Sequence, residues 1–169
     1  MIIAIDGPAA SGKSITAKLL ADKLNYIHLN TGLMYRALTY LIITDRINIK
    51  TILNKDIFTT SNLQFKGKNL NKVFFDEVNI SDKLYNENIN LNITKISNNS
   101  PIRKKIIKFQ RFIVKNKNVV CEGRDIGSVV FPEAEFKFFL IADLNSRILR
   151  RYNQLSSNYS KISKKEVEN

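Results

Sequence analysis

Apolar and polar positions change rhythm several times along this chain, and each change predicts an element. Met1–Asp6 (MIIAID) is apolar almost to its end and reads as a buried strand. After the glycine-bearing stretch GPAASGKS, residues Ala17, Leu20, Ala21 and Leu24 recur at i, i+3, i+4 and i+7, the spacing of one helix face. Tyr26–Asn30 predicts a short second strand. Gly32 to about Ile43 predicts a helix with Leu33, Ala37 and Leu41 on one side. From about residue 48 to 99 Asn and Lys abound, and short alternating runs appear: NLQFKG, NKVFFDEVNI and KLYNENI. Gly67-Lys68-Asn69 has hairpin-turn chemistry, so an inserted lobe with a few antiparallel strands is expected there, followed by a helix after Asn86.

Ser100-Pro101 opens a further helix, since proline is tolerated in a first turn; Ile102, Ile106, Phe109 and Ile113 form its stripe. Val119–Glu122 predicts a third core strand. Phe136–Ile141 (FKFFLI) predicts a fourth, apolar enough that cover on both faces is expected. Leu144–Leu155 reads as a helix with Leu144, Ile148, Tyr152 and Leu155 inward and Arg147, Arg150, Arg151 and Gln154 on another face. The remainder, SSNYSKISKKEVEN, is polar. Strands alternating with helices predict an α/β protein with a parallel sheet.

The 169 residues fit one domain with an insertion, and a hydrophobic fraction of 44% is enough for a core. No apolar run reaches transmembrane length, the N-terminus lacks a signal-peptide pattern, and a single cysteine, Cys121, excludes an internal disulfide. A cytoplasmic protein is expected. The net charge of +12 favours phosphate-bearing partners, but most of it is lysine spread through Asn- and Ile-rich segments. No run interleaves bases with aromatics, so a nucleic-acid platform is not expected.

Gly7–Ser14 fits G-x-x-x-x-G-K-[ST] at every fixed position, between a predicted strand and a predicted helix. Glycines let backbone N–H groups converge on a polyphosphate, and the following helix offers its positive N-terminus to the same anion. The expected ATP cradle is Gly7, Pro8, Ala9, Ala10, Ser11, Gly12, Lys13, Ser14 and Ile15. Lys13 reaches the outer phosphates, and the Ser14 hydroxyl is the expected Mg²⁺ ligand. This pattern alone indicates a nucleotide, not an acceptor. A small-molecule kinase would further need arginines, whose planar fork grips phosphate at two points. Arg36, Arg103, Arg111, Arg124 and the Arg147, Arg150, Arg151 group are the candidates.

IAIDGPAASGKS, NTGLMYRA, SPIRKKIIKFQR and CEGRDIGSVVFPEAEFKFFL, in this order, resemble bacterial cytidylate (CMP/dCMP) kinases, within the P-loop nucleoside monophosphate kinases. The resemblance implies a P-loop kinase core over 1–30 and 100–145, an inserted monophosphate-binding lobe over 31–99, and the start of a lid over 146–169. It implies ATP and Mg²⁺, CMP or dCMP as acceptor, and a monomer. Thr31, Arg36 and Arg124 would hold the CMP phosphate; Thr94, Arg103 and Asp125 would face the base. Lys13, Arg36, Arg124 and a lid arginine, Arg151, would act in catalysis. Glu122, just before GRD, would act on the magnesium shell through water. Family members carry a further C-terminal segment with a last core strand, which these residues lack, so one exposed flank and a weakened or inactive, merely nucleotide-binding chain are also expected. Asn30 stands where aspartate is common. Arg103 as a solvated charge, Thr94 as an ordinary surface residue and Arg124–Asp125 as a turn-capping ion pair are the plainer readings, and His28 is read as structural.

Overall fold

Strand β1 (Ile2–Asp6) lies inside a four-stranded sheet in a computed structural model that describes residues 1–55, 57–58 and 62–156. Its partners are β6 (Val119–Glu122) on one side and β7 (Phe136–Phe139) on the other, both parallel, with Ile3 opposite Val120 and Phe136. Strand β2 (Ile27–Asn30) pairs in parallel with β6, giving the order β2-β6-β1-β7. The register brings Asn30 level with Glu122, so the C-terminal ends of β2, β6 and β1 meet on one edge. Such a crevice beyond the strand ends is where open α/β sheets bind ligands.

Helix α1 (Lys13–Leu24) covers one face, where Ile3, Ile5 and Val120 pack with Ala17 and Ala21. Small residues at 17 and 21 let the helix approach the sheet closely. The other face meets α2 (Thr31–Ile43), against which α4 (Glu87–Ser97) and α5 (Ser100–Ile113) pack in turn. Leu33, Ala37 and Leu41 of α2 and Ile102, Ile106 and Phe109 of α5 are buried, as their spacing predicts.

The antiparallel sheet expected between residues 48 and 99 is β3 (Leu63–Lys66), β4 (Lys72–Phe75) and β5 (Val78–Asn79). Gly67, in the first turn, sits at φ 85°, where glycine is favoured. The buried apolar cluster runs unbroken from Ala4 and Leu29 through α2 to Leu63, Phe65, Val73 and Phe75. The inserted segment therefore has no core separate from that of the main sheet.

Two sequence expectations are corrected. FKFFLI yields a strand only at Phe136–Phe139, and all four residues are exposed rather than covered on both faces. Among the described residues β7 is an edge strand, and Phe136, Phe138 and Phe139 are only partly covered, at 50%, 53% and 67% exposed. In α6 (Leu144–Ser156) Leu144 is exposed, not inward, because no described element packs across it. The expected inward Leu155 and the polar tail from 157 onward lie outside the described side chains. Among the described residues no helix is long and apolar enough to cross a membrane.

Candidate active site

The loop between β1 and α1 curls around the N-terminus of α1 because two glycines permit it. A Cβ on Gly7 would stand 2.2 Å from the Leu140 carbonyl oxygen, and Gly12 caps the helix with φ 102°. Lys13 folds back across the loop, its Nζ donating to the Pro8 carbonyl at 2.5 Å and to Ser11 Oγ at 3.4 Å. Burial holds the Lys13 amine below its ordinary value, and the Arg124 guanidinium pushes the same way; Glu122 and Asp6 oppose them. The coupling puts Arg124 within electrostatic reach of the cradle, as a shared anion between them requires.

Next to Lys13, the Ser14 hydroxyl donates to Glu122 Oε2 at 2.6 Å. His28 Nε2 lies 3.1 Å from the other carboxylate oxygen, and Glu122 is buried at 3% exposure. His28, read from sequence as structural, thus touches the site through this carboxylate. Thr31 opens α2, and its hydroxyl donates to the Glu122 carbonyl at 2.7 Å. Asn30, in place of an aspartate, accepts from the Leu33 amide at 3.2 Å and caps α2.

The segment after β6 turns sharply. Gly123 is required there: a Cβ would come within 2.6 Å of Ile126 Cδ1 and 2.7 Å of Thr31 Oγ1. Arg124 and Asp125 follow, then a wide π-type turn over Ile126–Val130. The turn is held at both ends. Asp6, buried at the end of β1, accepts from the Ile126 amide at 2.7 Å and the Gly127 amide at 2.8 Å. Arg111 of α5 donates to the carbonyls of Val130 and Val129 at 2.8 and 2.9 Å. Arg111 is thus a structural tie, not a phosphate ligand in this state. Asp6 belongs to no phosphate-binding motif; its only mark in the sequence is that it is an acid ending a buried strand beside the glycine loop.

Asp125 pairs with Arg103, not with its neighbour Arg124. Arg103 stands in the first turn of α5, whose N-terminus is set by Asn99, accepting from the Ile102 amide at 3.1 Å, and by Pro101. The turn-capping pair and the solvated-charge readings of these residues both give way to one contact between two elements.

Arg36 points from α2 to the inserted segment, donating to the Leu84 carbonyl at 3.1 Å and to Asn90 Oδ1 at 3.0 Å, with Tyr85 beneath it. Thr94 is exposed one turn beyond Asn90 on α4. At the far side, Arg147 Nε donates to the Ala9 carbonyl at 3.0 Å, and Arg150 lies 3.4 and 3.3 Å from the carbonyls of Ala10 and Ser11. These two, rather than Arg151, hold α6 to the loop in this structure.

Family comparison agrees with this arrangement: the model described as cytidylate kinase matches residues 3–169. The chain belongs to the cytidylate kinase family. It is 40% identical over 170 residues to a cytidylate kinase of Fusobacterium nucleatum, covering 99% of this chain and 76% of that protein. Identity to the cytidylate kinase of Chloroherpeton thalassium is 41% over 161 residues, covering 93% of this chain and 67% of that one. A bifunctional pantoate ligase/cytidylate kinase of Prochlorococcus marinus is 39% identical over 153 residues, 89% of this chain and 30% of the longer protein. As a member of the cytidylate kinase family the chain is a phosphotransferase on an α/β scaffold.

Proposed function

We propose that this chain transfers the γ-phosphoryl group of ATP to CMP or dCMP, giving ADP and CDP or dCDP, as a cytoplasmic monomer. An oxygen of the acceptor phosphate attacks the γ-phosphorus in line while the bond to the β–γ bridging oxygen breaks; no enzyme-bound intermediate forms. The protein's part is positioning and charge stabilisation. The loop amides from Gly7 to Ile15 and Lys13 hold the ATP phosphates. Thr31, Arg36 and Arg124 hold the acceptor phosphate, with Arg124 reaching the transferring group beside Lys13. Arg151 adds a cation from α6, beside Arg147 and Arg150, which already lie against the loop carbonyls.

Ser14 and Glu122 fit Mg²⁺: a hydroxyl and a carboxylate 2.6 Å apart offer two hard oxygens, and this ion keeps waters and phosphate oxygens for its other positions. When bound it neutralises charge on the β- and γ-phosphate oxygens. His28 holds the second oxygen of Glu122 and so fixes the carboxylate's orientation toward Ser14.

The observation that carries the reading is the Arg103–Asp125 pair. Cytosine presents an amino donor at N4 beside acceptors at N3 and O2. An acceptor and a planar donor fork side by side match that edge; uracil, with a carbonyl in place of the amino group, would face the carboxylate. Thr94 adds a hydroxyl from α4. ADP release should be measured with CMP, dCMP, UMP and AMP, alongside calorimetry of CMP. Turnover with CMP or dCMP above UMP and AMP supports the proposal; CMP binding without ADP release reduces the chain to a nucleotide-binding module. Asp125→Asn is expected to lower kcat/KM for CMP by roughly tenfold or more and to narrow the margin over UMP. An unchanged CMP-to-UMP ratio would show that this acid does not read the base.

A further inference from the structure

We infer that Tyr85 and Asn90 are positioning residues which orient Arg36 for the acceptor's phosphate. The inference rests on the reading of Arg36 as a phosphate ligand. An arginine side chain has several rotatable bonds, and a loose one must be ordered each time an anion binds. Arg36 is ordered beforehand. Its NH1 donates to the Leu84 carbonyl at 3.1 Å, its NH2 to Asn90 Oδ1 at 3.0 Å, and its central carbon lies 4.8 Å from the centre of the Tyr85 ring. Two bonds in the guanidinium plane and a ring against its face fix both the direction and the tilt of the fork.

The segment supplying these contacts is itself anchored. Leu84 is fully buried, Asn86 caps α4 through the Ile89 amide at 3.0 Å, and Ile89 is buried against the core that α2 shares. A carbonyl, an amide oxygen and an aromatic face are uncharged, so these three contacts orient the guanidinium without neutralising it.

The test is calorimetry of CMP, cytidine and ATP on Tyr85→Leu, Tyr85→Phe, Asn90→Asp and Arg36→Ala. Tyr85 is 54% exposed, so the substitutions leave the core intact. Tyr85→Leu should weaken CMP about tenfold and leave cytidine and ATP unmoved; Tyr85→Phe, which keeps the ring, should restore most of that loss. Asn90→Asp separates positioning from mere support. It keeps the size and strengthens the grip on Arg36, so thermal stability should hold or rise while CMP affinity falls. Full CMP affinity in both Tyr85→Leu and Asn90→Asp, with Arg36→Ala still losing it, would overturn the clamp alone. CMP binding unaltered by Arg36→Ala would overturn the phosphate role and the clamp together.

Discussion

Cys121 shows how a single buried side chain ties stability to pH. It lies inside β6 with no exposed surface, and burial pushes its thiol well above the ordinary value. The unfolded chain loses that proton near the usual thiol range, whereas the folded chain keeps it. Above that range the unfolded state therefore binds fewer protons, and folding stability falls as pH rises, by about 1.4 kcal/mol per unit for this group. At neutral pH the contribution is fully present. Urea midpoints at pH 7 and pH 10 should show the loss, and Cys121→Ala, although less stable overall, should show a smaller difference between the two. An identical difference in both proteins would mean that other groups set the alkaline limb. Lys13 works in the opposite sense: its amine is held down, so the cost of burying its charge is present below its lowered value and fades as pH rises toward the ordinary one.

At the scale of elements, asparagine is the residue that composition hides. Asn30, Asn48, Asn86 and Asn99 each accept a backbone N–H at the start of α2, α3 (Ile49–Asn54), α4 and α5. Read as bulk composition they signal little; read in place they set where four helices begin. Asn99 matters most, because the turn it caps carries Arg103. Asn99→Ala should cost about 1 kcal/mol in denaturant unfolding and should weaken CMP by loosening that turn. Unchanged stability would mean that Pro101 alone fixes the start of α5. The core strands β1, β2 and β6, the glycine loop, α1, α2 and α5 were legible from periodicity and motif because local pattern and burial agree there. Helix α3 was not legible, since six residues carry too little periodicity. The neighbours of Arg36 were not legible either, because Tyr85 and Asn90 reach it across some fifty residues of chain and no local pattern encodes that pairing. The Arg103–Asp125 contact was legible only through family resemblance, which placed both residues at the base.

At the scale of the whole molecule, the apolar edge of β7 stands out against a surface carrying a net charge of +12. Among the described residues Phe136, Phe138 and Phe139 are exposed beside a strand edge with no partner, the arrangement that invites another strand. Net positive charge opposes self-association but does not cover the edge. Phe139→Lys should reduce concentration-dependent light scattering without lowering the unfolding midpoint; undiminished scattering would place the adhesive surface elsewhere. On the other side, the unbroken apolar cluster from Ala4 to Phe75 means that the small sheet and the large one do not melt apart. A segment with its own interior can swing on a hinge at little expense. This one shares its interior with the main sheet, so any tilt that brings acceptor and donor together has to repack side chains along the line from Leu29 beneath the strand ends to Val73 in the far sheet.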